Sequence, residues 1–225
     1  MVNKKAFCSW SGGKDSCLAL SRALGEGYEV THLLTMFDDR ENHSRSHAVA
    51  LDVMRAQAAA LNIELITPRA SWQDYERVFI ETLRDLKARG CDYGIFGDID
   101  LQAHRDWEEK VCQTAEIEAV LPLWNENRLD LVNEFIDRGF SSVVICVNEK
   151  FLPKEFCGRV FDRQFVVDLP ESIDACGENG EFHTFAFDGK LFANPIPYKI
   201  DEIYRHAPVY PSGETASFYY AKLSV

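Results

Sequence analysis

Ser11-Gly12-Gly13-Lys14-Asp15-Ser16 decides the fold, because it joins the first apolar run of the chain to the next one. Residues 5–10 are typical of a β-strand, and residues 17–24 are typical of a helix. Two glycines between a strand and a helix let the backbone approach an anion, and the first amides of the helix point at it. Ser11 and Ser16 add hydroxyl donors, and Lys14 adds positive charge. The stretch therefore predicts a phosphate-binding loop.

The loop differs from two common phosphate-binding motifs. A Walker A loop has Gly-x-x-x-x-Gly-Lys-Ser/Thr, whereas here Cys8 lies five positions before Gly13 and Asp15 follows the lysine. The loop does not fit the Gly-x-Gly-x-x-Gly pattern of dinucleotide folds either. Ser-Gly-Gly-x-Asp-Ser after an N-terminal strand instead resembles the PP-loop of the ATP pyrophosphatases, which cleave ATP between the α- and β-phosphates and adenylate an oxygen of the substrate.

This resemblance implies specific roles for the loop. Lys14 and Asp15 are expected to be catalytic, and Mg²⁺ is expected to bridge the phosphates. The residues expected to bind ATP are Ser11, Gly12, Gly13, Lys14, Asp15 and Ser16.

Composition restricts the class of protein. The chain has 225 residues, 46% of them hydrophobic, and no window of about 18 apolar residues, which indicates a globular protein without a membrane span. Its start leads into a short strand and not into the apolar core of a signal peptide, so we expect a cytoplasmic protein. The net charge of −12, without a run of Lys or Arg, argues against a nucleic-acid partner.

The cysteine and histidine spacings do not predict a metal centre. None of the seven cysteines forms a Cys-x-x-Cys pair, so a zinc or iron–sulfur site is not supported. His43 and His47 are four residues apart and could share a helix face, but no third ligand is close in sequence. We therefore expect no metal held by protein ligands alone.

The first half of the chain alternates between strand and helix patterns. Such repeated units imply a Rossmann-like parallel sheet that is covered on both faces. Its predicted strands after the first are 28–37, 64–67, 93–99 and 119–123, and its helices are 47–61, a segment capped by Ser71 and ended by Gly90, and 104–117. Ligands of such sheets lie beyond the carboxyl ends of the strands.

Four aspartates fall at that edge, namely Asp38, Asp39, Asp98 and Asp100. Asp98 and Asp100 follow a buried strand, where a role in holding ribose or a metal and a plain turn are equally compatible with the pattern. We place Asp98 among the expected cofactor-binding residues.

The second part of the chain changes character. It shows a helix over 127–138 with Leu129 facing inward, a strand over 142–147, a hairpin over 185–192 and a final strand over 218–223. We expect a boundary near Trp124. It would separate an ATP-binding domain, 1–124, from a smaller α+β domain for substrate binding, 125–225.

A second dense motif is Cys176-Gly177-Glu178-Asn179-Gly180-Glu181-Phe182-His183-Thr184. Such a loop can present Glu178 and Glu181 to an amine, to ammonia or to a metal, with His183 as an acid or base. Spacing alone favours a glycine-rich turn with solvated carboxylates.

Together, the early loop and this late motif resemble the diphthine–ammonia ligase family. The resemblance implies a PP-loop domain of the HUP type with a smaller C-terminal domain, and a homodimer is common for such folds. It also implies that ATP adenylates the carboxylate of diphthine on elongation factor 2, and that ammonia displaces AMP. The residues then expected to bind the substrate are Glu178, Gly180, Glu181 and His183.

The late motif departs from the family pattern Glu-Gly-Gly-Glu-Tyr/Phe-Glu at Asn179 and His183. The variant is similar to a bacterial branch for which a role in corrinoid (B12) salvage has been suggested. Two alternatives stay open at this point. One is an ATP-dependent tRNA sulfur transferase, which would need a catalytic cysteine and a basic surface, and the other is a nucleotide-binding protein tied to corrinoid salvage.

Overall fold

Five parallel strands form the central sheet of the first half of the chain. The computed structural model describes residues 4–40, 42–45, 47–207 and 216–225. The strands of this half are β1 (Lys4–Ser9), β2 (Tyr28–Leu34), β3 (Phe37–Asp38), β4 (Glu64–Ile66), β5 (Arg69–Ala70), β6 (Tyr93–Ile95) and β7 (Glu118–Val120), and its helices are α1 (Lys14–Gly25), α2 (Leu51–Leu61), α3 (Tyr75–Ala88) and α4 (Gln102–Thr114). The sheet order is β4-β2-β1-β6-β7, and β3 pairs with β5 outside this sheet. The predicted parallel α/β sheet is confirmed.

The order of the strands locates a binding cleft. From β1 the chain builds one side of the sheet through β2 and β4, and then crosses to β6 on the other side of β1. The connections that leave β1 and β6 therefore run in opposite directions along the sheet. The carboxyl ends of these two strands flank a topological switch point, where such sheets bind ligands. Gly97 follows β6, and a Cβ there would lie 2.9 Å from the backbone nitrogen of Ser16. Glycine at this position brings the loop after β6 against the first turn of α1.

The second half of the chain forms an antiparallel sheet. Its elements are α5 (Arg128–Asp137), β8 (Ser141–Asn148), a 3₁₀ turn (Lys154–Phe156), β9 (Val160–Phe161), α6 (Arg163–Asp168), β10 (Phe182–Asp188), β11 (Lys199–His206) and β12 (Phe218–Ser224). The order is β10-β8-β12-β11. The short strand β9 pairs with Ser142 and Val143 of β8. No helix of the described residues is both long and apolar enough to cross a membrane.

Both sheets share one hydrophobic core. Cys8 of β1, Leu20 of α1, Val144 of β8 and Phe185 of β10 are each at most 2% exposed and belong to one continuous cluster. Burial of this apolar surface is the main force that holds the two sheets together. The division of the chain at residue 124 into two domains stays a proposal.

Two predicted helices begin later than expected. The helix predicted from residue 47 begins at Leu51, because Ala48 has a φ of 54° and Ala50 is extended. Ser71 caps a turn and not α3: its hydroxyl accepts the backbone N–H of Asp74 at 3.2 Å, one residue before the helix. The turn leaves Trp72 60% exposed and outside the buried stripe of α3.

The predicted hairpin over 185–192 is wrong. β10 ends at Asp188 and pairs with β8, and residues 189–198 form turns and loop. The backbone N–H of Phe192 bonds to the carbonyl of Gly189 at 3.0 Å and closes a turn, and the backbone N–H of Ala193 bonds to Ala60 near the end of α2, so these residues form no returning strand. The chain then forms β11, which the sequence reading did not predict. Leu129 of α5, expected to face inward, is 49% exposed.

Substitution of Asn127 tests the start of α5. Its side-chain oxygen accepts the backbone N–H groups of Leu129 at 3.0 Å and Asp130 at 3.1 Å, which no helical carbonyl can pair. Asn127→Ala should lower the free energy of unfolding by about 1 kcal/mol, whereas Asn127→Asp should stay close to wild type. Urea denaturation monitored by circular dichroism measures both. Equal stability of the alanine variant and the wild type would contradict the capping role.

Candidate functional site

A cavity of about 690 Å³ opens at the carboxyl ends of β1, β2 and β6. Most of the residues predicted to form a site line it, namely Ser11, Lys14, Asp15, Ser16, Asp98, Glu178, Gly180 and His183. Gly12, Gly13 and Glu181 are buried behind its wall. Asp38 and Asp39 do not line it, and Asp38 pairs with Arg45 at 2.8 Å. The early loop (residues 11–16) and the late loop (residues 174–184) therefore face one cavity, although 162 positions separate Lys14 from Cys176 in sequence.

The two glycines of the early loop are required by close contacts. Gly12 has a φ of +83°, and a Cβ there would lie 2.7 Å from Oε1 of Gln57. A Cβ on Gly13 would lie 2.8 Å from the imidazole of His47. An L side chain at either position would displace its neighbour, and at Gly12 it would also strain the backbone.

Strand β10 holds the backbone of the early loop. The hydroxyl of Thr184 accepts the backbone N–H of Lys14 at 3.0 Å, and the backbone N–H of Ala186 donates to the carbonyl of Gly12 at 2.8 Å. Gln57, which is fully buried, donates to the same carbonyl at 2.9 Å and to that of Ala186 at 2.7 Å. Buried polar groups that are fully paired rigidify the segment they belong to. The shape of the loop thus depends on residues from three parts of the chain.

The serines complete the loop at the start of α1. The hydroxyls of Ser11 and Ser16 are 3.1 Å apart, and the Ser11 hydroxyl accepts the backbone N–H of Gly13 at 3.2 Å. Ser16 also donates to the carbonyl of Gly13 at 3.1 Å. The positive end of the helix dipole lies at the same place. Hydroxyls and a helix N-terminus at the cavity wall suit an anion such as a phosphate.

Lys14 links the two loops. Its side chain is only 5% exposed, and its Nζ lies 2.7 Å from Oδ2 of Asp15 and 2.5 Å from the carbonyl oxygen of Cys176. Burial alone would lower the pKa of Lys14, but the negative charges of Asp15 and Glu178 outweigh burial and raise it. Lys14 is therefore a permanent cation at the junction of the early and late loops.

The carboxyl groups beside Lys14 have altered acidities. Burial, and then the negative charge of Asp15, raise the pKa of Glu178 to about 7. Burial also raises the pKa of Asp15, against the opposing effect of Lys14. A carboxyl group with a pKa near neutrality can accept or release a proton under working conditions. Glu178 is thus the member of the late loop best placed for proton transfer.

Glu181 shapes the late loop from behind. It is 2% exposed, and its carboxylate accepts the backbone N–H groups of Asn179 at 2.9 Å and Asp174 at 3.3 Å. The side-chain amide of Asn179 donates to it at 3.0 Å. Its oxygens are directed at its own loop, so its contribution to the cavity is the position of Glu178.

Arg128 is a further link that the sequence reading missed. Its guanidinium pairs with Asp100 at 2.6 Å and with Asp174 at 2.6 Å, and so ties the loop after β6 to the late loop. The sequence contains one signal of this link, which is a cation at the start of a predicted helix. Such a cation opposes the helix dipole unless an acidic partner is near.

Two stacked imidazoles face the early loop. The rings of His47 and His183 are 4.5 Å apart and 25° from parallel. Burial, together with the charge of Lys14, lowers the pKa of His183 to about 4, and burial lowers that of His47 well below its usual value. Both rings are therefore neutral at pH 7. His47 was grouped with His43 on a helix face, but it lies ahead of α2 and reaches the cavity.

A hydrogen-bonded chain of three side chains, two from α4 and one from the loop after β6, forms another part of the wall. Nδ1 of His104 lies 2.7 Å from Oδ1 of Asp98, and the side chain of Glu108 is hydrogen-bonded to the same aspartate. Glu108 is 5% exposed, and burial followed by the charge of Asp98 raises its pKa to about 11. Burial alone would raise the pKa of Asp98, but the bonds from His104 and Glu108 lower it. The chain thus consists of a neutral acid, a carboxylate and an imidazole.

The remaining wall is aromatic, and its members are Trp72, Tyr75, Phe79, Phe96 and Trp107. The rings of Phe79 and Trp107 are 5.0 Å apart, and the guanidinium of Arg45 lies 4.7 Å from the centre of Trp72. Flat apolar surface on the wall of a cavity suits a base or another planar or apolar group.

Comparisons with known proteins identify the family of the chain. The family model of the diphthamide synthase N-terminal domain matches residues 4–119, and that of the diphthamide synthase C-terminal domain matches residues 127–209. The chain is 26% identical over 226 residues to the diphthine–ammonia ligase of Homo sapiens, covering 88% of this chain and 84% of that protein. For the diphthine–ammonia ligase of Danio rerio the identity is 25% over 224 residues, covering 88% and 87%.

One solved structure shows a weaker likeness. It is the crystal structure of a predicted subunit of tRNA methyltransferase from Methanocaldococcus jannaschii, with a TM-score of 0.39 and 16% identity. The likeness covers 63% of this chain and 80% of that chain. The family resemblance inferred from the two motifs is confirmed by the family models.

The pKa of Glu178 can be tested directly. In ¹³C NMR titrations, the Glu178 carboxyl should titrate near pH 7, and Asp15→Asn should lower its pKa because the negative charge that raises it most is lost. Since folding raises this pKa from 4.5, Glu178 should make the fold less stable as pH rises from about 4.5 through 7, and Glu178→Gln should remove that dependence. Asp52→Asn, on the exposed side of α2, is the control. An ordinary Glu178 pKa would contradict the described coupling.

Proposed function

The chain belongs to the diphthamide synthase family, and we propose that it is an ATP-dependent ligase that adenylates a carboxylate and then amidates it with ammonia. The observation that carries this proposal is the single cavity shared by the early and late loops, with Lys14 bonded to both. Curated relatives in the family bear the name diphthine–ammonia ligase. The reaction would form AMP and pyrophosphate in its first half and an amide in its second.

We assign the phosphates of ATP to the early loop. Ser11, Ser16 and the backbone of Gly12 and Gly13 would surround them at the N-terminus of α1. Asp15 faces the same cavity and would hold Mg²⁺ together with the phosphates. Mg²⁺ commonly uses one or two carboxylates plus phosphate oxygens, so it does not need a cluster of three protein ligands, which the described residues lack. When bound, Mg²⁺ would neutralise charge on the phosphates.

Lys14 would stabilise the charge that develops during adenylation. Its Nζ is fixed by Asp15 and by the carbonyl of Cys176, and its backbone by Thr184. A preorganised cation in a site of low dielectric stabilises a transition state strongly because it needs no reorganisation. Lys14 would therefore act on the departing pyrophosphate, with Asp15 as its positioning partner.

The acceptor would lie against the late loop. Glu178, Gly180 and His183 face the cavity, and Glu181 holds their loop in place. We propose diphthine on elongation factor 2 as the acceptor to test first. His183 replaces the acid of the usual family pattern, and as a neutral ring it would offer a hydrogen bond where relatives would offer a charge.

Sulfur transfer is not favoured by the cavity. Cys176 is the cysteine on its wall, and burial raises the pKa of its thiol to about 12. Its sulfur donates to the carbonyl of Arg128 at 3.1 Å. A sulfur transferase needs a thiolate, and all seven cysteines of this chain are buried.

The proposed function is tested with elongation factor 2 purified from cells that lack the endogenous ligase. Incubation with the protein, ATP, Mg²⁺ and ammonium should produce AMP, pyrophosphate and, by mass spectrometry, replacement of one hydroxyl by an amino group. Lys14→Met should slow turnover by about 10²-fold or more, and Lys110→Met, on the exposed face of α4, should not.

Circular dichroism shows whether the Lys14 variant is folded. Lys14→Arg, which keeps the charge but not the contact geometry, gives a second measure and should also lose most activity. Unchanged ATP binding and pyrophosphate release in both variants would contradict the assignment of the loop. Failure of the wild-type protein to form any amide would contradict the proposed function.

A further inference from the structure

The chain of Asp98, His104 and Glu108 has no part in the phosphate-binding loop. His104 and Glu108 are four residues apart on α4 and so lie on one face of the helix. Both are hydrogen-bonded to Asp98, which comes from the loop after β6. All three line the cavity. Two elements of the fold therefore bring together an imidazole, a carboxylate and a carboxylic acid on the wall of the proposed active site.

Glu108 supplies an independent sign of a ligand. It is 5% exposed, and its Oε2 has no hydrogen-bond partner among the described residues. A buried acceptor that lacks a donor costs free energy, so such an atom at a cavity wall is suited to a donor from a bound molecule. A ligand that pairs with Oε2 would have to offer it an N–H or O–H group.

The charges nearby favour a cationic donor. Asp98 is a carboxylate, and Asp15 and Glu178 face the same cavity. Ammonium is a small cation with four N–H donors and fits both requirements. Ammonia is also the second substrate of the proposed reaction, and ammonia in water near pH 7 is almost entirely ammonium. An enzyme that uses it must remove a proton before the nitrogen can attack.

We propose that Glu108 and Asp98 receive ammonium and that His104 removes its proton. This inference rests on the proposed function and deepens it. His104 donates its Nδ1–H to Asp98, which leaves Nε2 as the proton acceptor. Glu108 is a positioning residue through its bond to Asp98 and offers Oε2 to a second N–H. Asp98 orients the imidazole and stabilises it once it is charged, as a carboxylate does for a catalytic histidine.

Ammonium loses two protons as its nitrogen becomes part of the amide. One N–H proton of ammonium passes to Nε2 of His104, and the nitrogen lone pair forms a bond to the acyl carbon of the adenylate. The bond between that carbon and the AMP oxygen breaks, and its electron pair leaves with AMP. The AMP phosphate takes the second proton. The products are the amide, protonated AMP and imidazolium, and the imidazolium loses its proton to solvent.

The groups that face His104 determine how the step depends on pH. Asp98 from the loop after β6 and Glu178 from the late loop raise the pKa of His104 against the opposing effect of burial, while Glu108 lies one turn further along α4. Below its pKa, His104 is already protonated and cannot accept a proton. The ammonium-dependent step should therefore slow as pH falls through the pKa of His104.

The test separates the two half-reactions. Adenylation is followed by ATP–pyrophosphate exchange without ammonia, and amidation is followed with ammonium or with hydroxylamine, which is unprotonated near pH 7. His104→Gln should slow the ammonium reaction by about 10²-fold at pH 7, with a much smaller effect on exchange. Hydroxylamine should restore most of the rate. In the ammonium reaction, the defect of the variant should shrink by about tenfold per pH unit, because the fraction of free ammonia increases tenfold per unit.

Glu108 is tested by two replacements of similar size. Glu108→Gln keeps a neutral acceptor and a donor to Asp98 and should retain most of the ammonium reaction, whereas Glu108→Leu should raise the KM for ammonium at least tenfold. Glu109→Leu, the exposed neighbour on α4, and His206→Gln, on β11, are the matched controls.

Each outcome separates the inference from the function it rests on. A wild-type protein that forms no amide with either nucleophile overturns the proposed function and this inference with it. A wild-type protein that forms amide, with a His104→Gln variant equally slow on ammonium and hydroxylamine or unchanged on both, overturns this inference alone. Equal KM values for ammonium in the Leu and Gln variants of Glu108 would remove Glu108 from the site.

Discussion

The hydrogen bonds between β10 and the early loop are the constraint on which the rest of the structure depends. Thr184 and Ala186 bond to Lys14 and Gly12, and Gln57 closes the arrangement from α2. The parallel sheet supplies the position of the loop, but these contacts set its backbone conformation. The proposed nucleotide site, which belongs by sequence to the first half of the chain, is therefore completed by the second half. The same contacts bring the late loop to the edge of the cavity, where Lys14 can bond to Cys176.

Charge organises the cavity around Lys14. Asp15 balances part of the charge of this cation, while burial and then the charge of Asp15 raise the pKa of Glu178. An incoming polyphosphate would compete with Asp15 for Lys14. The carboxylate of Asp15 would then be free to bind Mg²⁺. The charge of Asp98 is paired with His104 of α4. The cavity thus has one part that suits an anion and one that suits a small cation.

The parts of the fold that were predictable from sequence are those with local signals. A strand, two glycines and a helix follow one another over residues 4–25, as expected. The carboxyl ends of the parallel strands meet at the cavity, also as expected. His47 was misplaced because the backbone of Ala48 turns before α2 begins. Glu108 was missed because a buried acid on a polar helix has the same pattern as a solvated one. The contact between Lys14 and Thr184 joins residues 170 positions apart, and no local pattern encodes it.

Titration of the protein with an α,β-methylene analogue of ATP, in which the bond between the α- and β-phosphates cannot be cleaved, tests the central claim most directly. Thr184→Val keeps the volume of the side chain but leaves the backbone N–H of Lys14 without its acceptor. The analogue should bind the folded valine variant at least about tenfold more weakly, a loss of about 1.4 kcal/mol, while Thr184→Ser should bind it like the wild type. Equal affinities of the wild type and the valine variant would show that β10 does not shape the nucleotide site.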